Sequence, residues 1–264
     1  MKNTIHKNAA FPLLLAAVLS ALLGACESIN RSRRDMGIPR YVIIFSFDDG
    51  PNVHGDTTSR LLDVLKKYHI RAMFALLGEN AEHSPALVRR IHEEGHYIIN
   101  HGYSDKWAVS MEGDEFRENL AKGEAAIAAV LGEALPYRLY RPQGGYYKDF
   151  HQTIWREEGY SAVHGSVRIY DATASAAQKR QETRELIEKI EESKGGLVLL
   201  HDMRDSWRRM ERELQKEPDG PFNRSWIPEM VEKTILYFRD KGYHIDGSEI
   251  PLFVEGIGFA AAIE

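Results

Sequence analysis

Cysteine is almost absent. Cys26 is the single one in 264 residues, so no internal disulfide framework can hold the chain together. Basic charge is not in excess either. Against 39 Asp and Glu stand 34 Lys and Arg, a formal net charge of −5. A mildly acidic chain has no general attraction to nucleic acid or anionic lipid, and no nucleic-acid partner is expected. No apolar run reaches the ~20 residues that span a bilayer comfortably. Internal repeats and low-complexity blocks are missing. What is present is 43% hydrophobic residues, 10% aromatics and 28% charged residues. That supports one sizeable core and excludes a disordered chain.

The first segment reads as targeting. Lys2 and Lys7 precede a nearly all-apolar run at 9–23, the length of a signal core. It ends in Leu23-Gly24-Ala25-Cys26, which resembles the lipobox of bacterial lipoproteins. That resemblance implies cleavage before Cys26 and acylation of its thiol and new amino group. The alternative is an ordinary secretory signal or an uncleaved anchor with an incidental cysteine. Residues 1–25 are then a lipoprotein signal peptide, 26–39 a polar tether and 40–264 the working domain. Cleavage removes two lysines and no acid, moving the formal charge from −5 to −7. The implied partner is a membrane, reached through an N-terminal lipid whose several acyl chains give stable anchoring. Glu27 is not the aspartate that marks inner-membrane retention in enteric lipoproteins. The expected location is therefore the cell envelope, at the periplasmic face of an outer membrane or the cell surface.

From Arg40 on, strand-like runs alternate with amphipathic helical patterns. Strands are expected at 41–47, 72–77, 97–100, 137–141, 161–167 and 197–200. Helices are expected at 57–68, 114–131, 150–158, 183–192 and 227–241, and one opened by Ser84-Pro85. Gly95, Gly159 and Gly242 stand at helix ends. Such alternation implies an α/β fold with parallel strands, either an open doubly wound sheet or a (β/α) barrel, with chemistry at the strand ends. Segment 203–226 breaks the rhythm. Its six basic and five acidic residues read as a solvated helix and loop, and Trp207 and Trp226 are left open.

The strand ends carry the chemistry. The first leads into Asp48-Asp49-Gly50-Pro51, two carboxylates that point different ways, although Asp-Gly-Pro alone is ordinary turn chemistry. The third leads into His101, with Asp105 four residues on, a spacing that can bind a divalent metal. The fourth leads into Arg141-Pro142-Gln143-Gly144-Gly145, and a late strand into His201-Asp202. His69, His83, His92, His151 and His164 are read as structural or exposed.

This ordered set resembles the polysaccharide deacetylases, the NodB-homology domains of carbohydrate esterase family 4, from about Tyr41 to Tyr243. The resemblance implies a distorted (β/α) barrel and a metal-dependent hydrolase that removes N-acetyl groups from an extracytoplasmic glycan. The partner is then an acetylated glycan substrate, an N-acetylglucosamine-containing peptidoglycan or surface polysaccharide. The cofactor is a divalent metal, zinc first, with manganese, iron or cobalt as alternatives. Asp48 matches the general base, Asp49 and His101 metal ligands, and Arg141 the arginine that pairs with the base. His201 matches the general acid, and Asp171 the acid that orients it. A backbone N–H near Gly144 and the ring of Tyr146 fall on the substrate side.

The pattern also departs from the family. Asp105 stands where the second metal histidine belongs, and Gly102 where a serine or threonine does. Gln143 and Gly144 replace a proline and an aromatic; Arg168 and Ala172 replace an aspartate and a tryptophan near Asp171. A second carboxylate would make the bound unit nearly neutral, a weaker Lewis acid with a higher water pKa. It would also tilt preference from zinc toward manganese, iron or cobalt. Losing two aromatics implies a wider site, or one rebuilt from Tyr146, Tyr147, Trp207 or Trp226. The alternatives are an inactive glycan-binding envelope lipoprotein, or a deacetylase of O-acetyl sugars or small acetylated amines.

Overall fold

The computed structural model describes residues 41–251 and Val254. The segments expected as signal peptide and tether, with Cys26, lie outside the described residues. The described part forms one compact unit, organised on a single seven-stranded sheet of order β5-β4-β3-β2-β1-β7-β6. Every strand pair is parallel. The strands are β1 (Ile43–Asp48), β2 (Met73–Leu76), β3 (Tyr97–Asn100), β4 (Leu139–Tyr140), β5 (Ser161–Ala162), β6 (Val167–Arg168) and β7 (Gly196–His201). Around them run α1 (Thr57–Lys67), α2 (Gly78–His83), α3 (Pro85–Glu93), α4 (Gly113–Leu131), α5 (Asp149–Glu157), α6 (Lys179–Ser193), α7 (Trp207–Lys216) and α8 (Ile227–Arg239).

The run expected as one strand at 161–167 is two short strands on opposite edges of the sheet. Residues 163–166 alone join them. Five Cα steps of 3.8 Å reach at most ~19 Å. Six interstrand gaps in a flat sheet would span roughly 29 Å. The sheet therefore curls until its edges approach, and the strand ends converge on one mouth. Periodicity missed this because each piece is only two residues long, too short to show a period of its own.

Along β1 the side chains alternate. Ile43, Phe45 and Phe47 enter the main core with Leu61, Leu65, Ile235 and Phe238 from α1 and α8. Ser46 and Asp48 face the other way, into the barrel, where both accept from Arg141. The buried run thus sorts its polar positions onto the inner face by period 2. The helix before α3 was not anticipated: α2 ends at His83, and the Ser84 N–H caps it by donating to Asn80 O at 3.0 Å. Ser84 makes no side-chain cap on α3, although Ser84-Pro85 reads in the sequence as a cap followed by a first-turn proline. Gly242 stops α8 in the left-handed region at φ 76°, where only glycine is unstrained.

His96 is buried between strand and helix. The Ala72 N–H donates to its Nδ1 at 3.1 Å, and burial pushes its pKa down to about 4. A base whose folded pKa lies below its unfolded value near 6.5 leaves stability intact above that pH and removes it as pH falls toward 4. At pH 5 this site should remove about 2 kcal/mol. Urea midpoints at pH 7 and pH 5 will show a larger acid loss for the wild-type chain than for His96→Gln. Equal losses in both would contradict the assignment.

Candidate active site

Asp48 and His201 are register partners on the adjacent strands β1 and β7. Register partners on parallel strands project to the same face, so base and acid candidates stand side by side at the barrel mouth. His101 and Arg141 extend the ladders by one residue: the His101 N–H donates to Leu76 O and the Arg141 N–H to Asn100 O, each at 3.0 Å. Four strand ends therefore deliver four of the expected residues to one place.

Arg141 is buried with the Asp48 carboxylate against its Nη1, which also donates to Ser46 Oγ at 2.6 Å. Its Nε donates to Val163 O at 3.0 Å. Burial alone would raise the pKa of Asp48; the charges of Arg141, His101 and His201 outweigh it and hold the carboxyl below its usual range. Asp49 takes a left-handed backbone at φ 70°, unusual for a non-glycine residue and tolerated best by Asn and Asp. The twist lets it face His101 while Asp48 faces Arg141. Buried Asn80 clamps the turn, donating to Asp49 O at 2.7 Å and to Asp205 O at 3.0 Å. Gly50 follows because a Cβ there would sit 2.7 Å from an oxygen of buried Asp202, whose carboxyl burial pushes up to about 7.

His101 Nδ1 lies 2.8 Å from Arg141 O, an acceptor only, so that nitrogen carries the hydrogen. Nε2 then faces the Asp49 carboxylate at 3.3 Å and Asp48 at 4.0 Å. Burial disfavours charge on this ring, yet Asp48 and Asp49 raise its pKa on balance. A carboxylate and an oriented imidazole so placed suit a positive charge, either a proton on His101 or a divalent cation. The third expected ligand does not close on them. Among the described residues no group of three or more His, Cys, Asp or Glu side chains is placed to hold a metal ion. Asp105 is in electrostatic contact with both; burial, then the like charge of Asp49, pushes its carboxyl up to about 8. Repulsion between two carboxylates is a physical reason for the open set.

On the other side of the mouth, His201 Nδ1 lies 3.0 Å from Asp171 Oδ1, and the His201 N–H donates to Asp171 Oδ2 at 2.8 Å. Asp171 is buried and is itself held by Arg224, whose Nη2 donates to Asp171 Oδ2 at 2.6 Å and to His201 O at 3.0 Å. Burial would lower the pKa of His201, but Asp171, Asp49 and Asp48 raise it to about 9. Arg224 was missed. It was counted among the solvated charges of 203–226, whereas it is fully buried. No signal in the sequence separates it from Arg204 or Arg208.

The departures from the family pattern fit one another. Gly102 has φ 77°, and a Cβ on it would stand 1.9 Å from Gln143 Nε2. Gln143 accepts from Tyr140 Oη at 2.9 Å and donates to Ser104 O at 3.2 Å, steadying the loop that carries Asp105. Gly144, also left-handed, has the Trp107 ring 2.8 Å from where its Cβ would be. Trp107 and Tyr146 are 55% and 67% exposed, with ring centroids 6.3 Å apart. Tyr146 and Trp107, the latter not named in the sequence reading, are thus the candidate rings for an aromatic wall. Tyr147 packs on Trp155 and His164, Trp207 stacks on His83, and Trp226 is buried. His151 is structural, with its ring nitrogens at Lys148 N and Met111 O.

A family model described as polysaccharide deacetylase matches residues 37–163. A peptidoglycan-N-acetylglucosamine deacetylase of Bacillus cereus is 37% identical over 130 residues, covering 49% of this chain and 46% of the relative. A chitooligosaccharide deacetylase of Rhizobium leguminosarum bv. trifolii is 32% identical over 173 residues, covering 61% of this chain and 71% of the relative. The chain spans about half the length of the first curated relatives it matches. The solved Bc1960 peptidoglycan N-acetylglucosamine deacetylase superposes with a TM-score of 0.61 at 27% identity, covering 77% of this chain and 84% of that one. The distorted (β/α) barrel is the fold expected from the motifs.

Two measurements probe this geometry. Gly102→Ala should cost about 2–4 kcal/mol, and about 1 kcal/mol less in a Gln143→Ala background; Asn119 Nδ2, 2.4 Å from the same point, keeps the cost from vanishing. Strict additivity of the two substitutions in denaturant melts would refute the contact. In the cation-free protein, NMR titration should find His201 protonated at neutral pH and losing its proton near pH 9. In Asp171→Asn the midpoint should fall, because the counter-charge is gone. An unmoved midpoint would remove Asp171 from its orienting role.

Proposed function

We propose, from the premise that this chain belongs to the polysaccharide deacetylase family, that it hydrolyses N-acetyl groups on an extracytoplasmic glycan. The observation that carries the reading is the pair of oppositely tuned groups in register, Asp48 held ionised and His201 held protonated. Pairs whose environments push their pKa values apart mark acid and base assignments. Relatives named for peptidoglycan N-acetylglucosamine, N-acetylmuramic acid and chitooligosaccharide deacetylation support the substrate class.

Asp49 and His101 would hold a divalent cation, with Asp105 the candidate third ligand, and its chemistry when bound is to polarise water and the acetyl oxygen. Asp48 takes a proton from the attacking water. The water oxygen bonds to the acetyl carbon, and a backbone N–H beside Gly144 is the candidate donor to the oxygen that gains charge. His201 gives its proton to the amide nitrogen as the C–N bond breaks. Acetate and a free amine leave. Arg141 keeps Asp48 ionised, and Asp171 with Arg224 keeps His201 charged and aimed. Trp107 and Tyr146 offer faces on which sugar rings stack. Zinc, manganese, iron and cobalt are the candidate cations, and Cys26 would tether the enzyme to the envelope membrane.

Acetate release should be measured on N-acetylated glycans with each metal and with a chelator. Asp48→Asn and His201→Ala should each lower kcat on the amide by about 10²–10⁴. On an O-acetyl ester, His201→Ala should change little, since an ester needs less help in expelling its leaving group. Asp105→His should change bound metal and rate; if both are unchanged, Asp105 is not a ligand. Glycan binding without acetate release under any metal would select the inactive envelope lipoprotein instead.

A further inference from the structure

Away from Asp48 and His201, a cavity of about 540 Å³ opens between the first turns of α6 and α8. Lys179, Arg180 and Arg184 of α6 and Lys233 of α8 line it, against the single carboxylate of Glu229. Glu229 pairs with Lys179 at 2.9 Å and Lys233 at 2.6 Å. Arg180 and Arg184, four residues apart on one helix face, make no ion pair or side-chain hydrogen bond among the described residues. Like charges at that spacing repel. A net positive pocket with two unpaired guanidiniums thus sits on a chain of formal charge −5.

Its position gives the excess a use. Helices α6 and α8 follow β6 and β7 in the chain, so their N-terminal ends face the strand ends that carry Asp48 and His201. Both helix dipoles present their positive ends there, adding to the side-chain charge. Trp226, 4% exposed, lines the cavity, and among the described residues its Nε1 hydrogen has no acceptor. The Arg224 guanidinium lies 4.9 Å from the Trp226 ring centroid and grips Asp171 and the His201 carbonyl. Continuous contacts therefore run from this cavity to the proton donor.

We infer that the cavity binds a carboxylate or phosphate carried elsewhere on the glycan being deacetylated, which makes the substrate an acidic N-acetylated glycan. The inference rests on the deacetylase reading above and deepens it. Arginines suit such groups because the guanidinium fork matches two oxygens at once.

The test uses the full chain loaded with metal and two oligomers of equal length. One is a neutral N-acetylglucosamine oligomer; the other alternates N-acetylglucosamine with N-acetylmuramic acid, which carries a lactyl carboxylate. In Arg180→Ala/Arg184→Ala, KM for the acidic oligomer should rise about tenfold, with its kcat and both constants on the neutral oligomer unchanged. Arg180→Lys/Arg184→Lys should recover part of that loss, and inorganic phosphate should compete with the acidic oligomer in the wild type alone. Equal changes on both oligomers, or none, overturn the inference, as does phosphate binding that leaves the acidic oligomer's KM unmoved. If neither oligomer is turned over, the deacetylase reading fails, and calorimetric titration judges the cavity separately. Arginine-dependent preference for the acidic oligomer upholds it; equal binding of the two overturns it.

Discussion

Four residues crossing from one edge of the sheet to the other impose the curvature on which everything else depends. Once 163–166 must bridge β5 and β6, the parallel strands cannot lie flat, and their C-terminal ends are gathered into one mouth. The same crossing helps fill the barrel. Val163 O receives Arg141, and Gly165 must lack a side chain because a Cβ would stand 2.5 Å from Leu199 Cβ. Closure and site assembly are therefore one event. A substitution that loosened the crossing would act on the chemistry through the backbone, without touching Asp48 or His201.

Gathering charges in a barrel incurs a desolvation penalty that only paired groups survive. The molecule meets it twice with the same device. Arg141 is buried against Asp48 and two further acceptors, and Arg224 against Asp171 and the carbonyls of Asp171, Ala174 and His201. One arginine stabilises the candidate base, Asp48; the other stabilises the carboxylate paired with the candidate acid, His201. The two halves face each other across the β1–β7 pair, and each has a counter-ion of its own besides the charge it feels from the other side. The Asp49–His101 pair, by contrast, lacks an arginine of its own among its close contacts. The candidate base and acid are each held by several contacts, whereas the candidate cation ligands Asp49 and His101 are held by fewer.

Much of this was legible in the sequence because it is local. Strand cores, helix ends and the residues just after each strand follow from period and turn chemistry, which put Asp48, His101, Arg141 and His201 at strand ends; their roles came from the resemblance to the family. What was not legible is long-range. The split of 161–167 depends on closure, and the burial of Arg224 on a loop folding back over Asp171. Trp107 matters because it lands on Gly144, 37 positions along the chain. Composition cannot distinguish a buried arginine from a solvated one, nor tell which tryptophan will reach a wall.

The long-range contacts also bear on whether the altered motifs mark decay or remodelling. Decay predicts independent losses, each leaving a hole. Here the missing side chain at Gly102 is the space taken by the Gln143 amide, and Gln143 stands where the family has a residue without that amide. The side chain missing at Gly144 is the space taken by Trp107. Helix α4 joins the same arrangement: a Cβ on Gly123 would stand 2.4 Å from the Gly102 carbonyl carbon, so a glycine on the helix lets the loop from His101 to Asp105 press against it. Gly78, whose N–H donates to Gly102 O at 2.9 Å, has Gly123 Cα only 3.0 Å from where its own Cβ would be. Three glycines and one glutamine thus define one tight seam under the loop from His101 to Asp105. Coupled substitutions that fill each other's volume are the pattern of a packed interior under constraint, and what this seam holds in place is the loop carrying the candidate cation ligands.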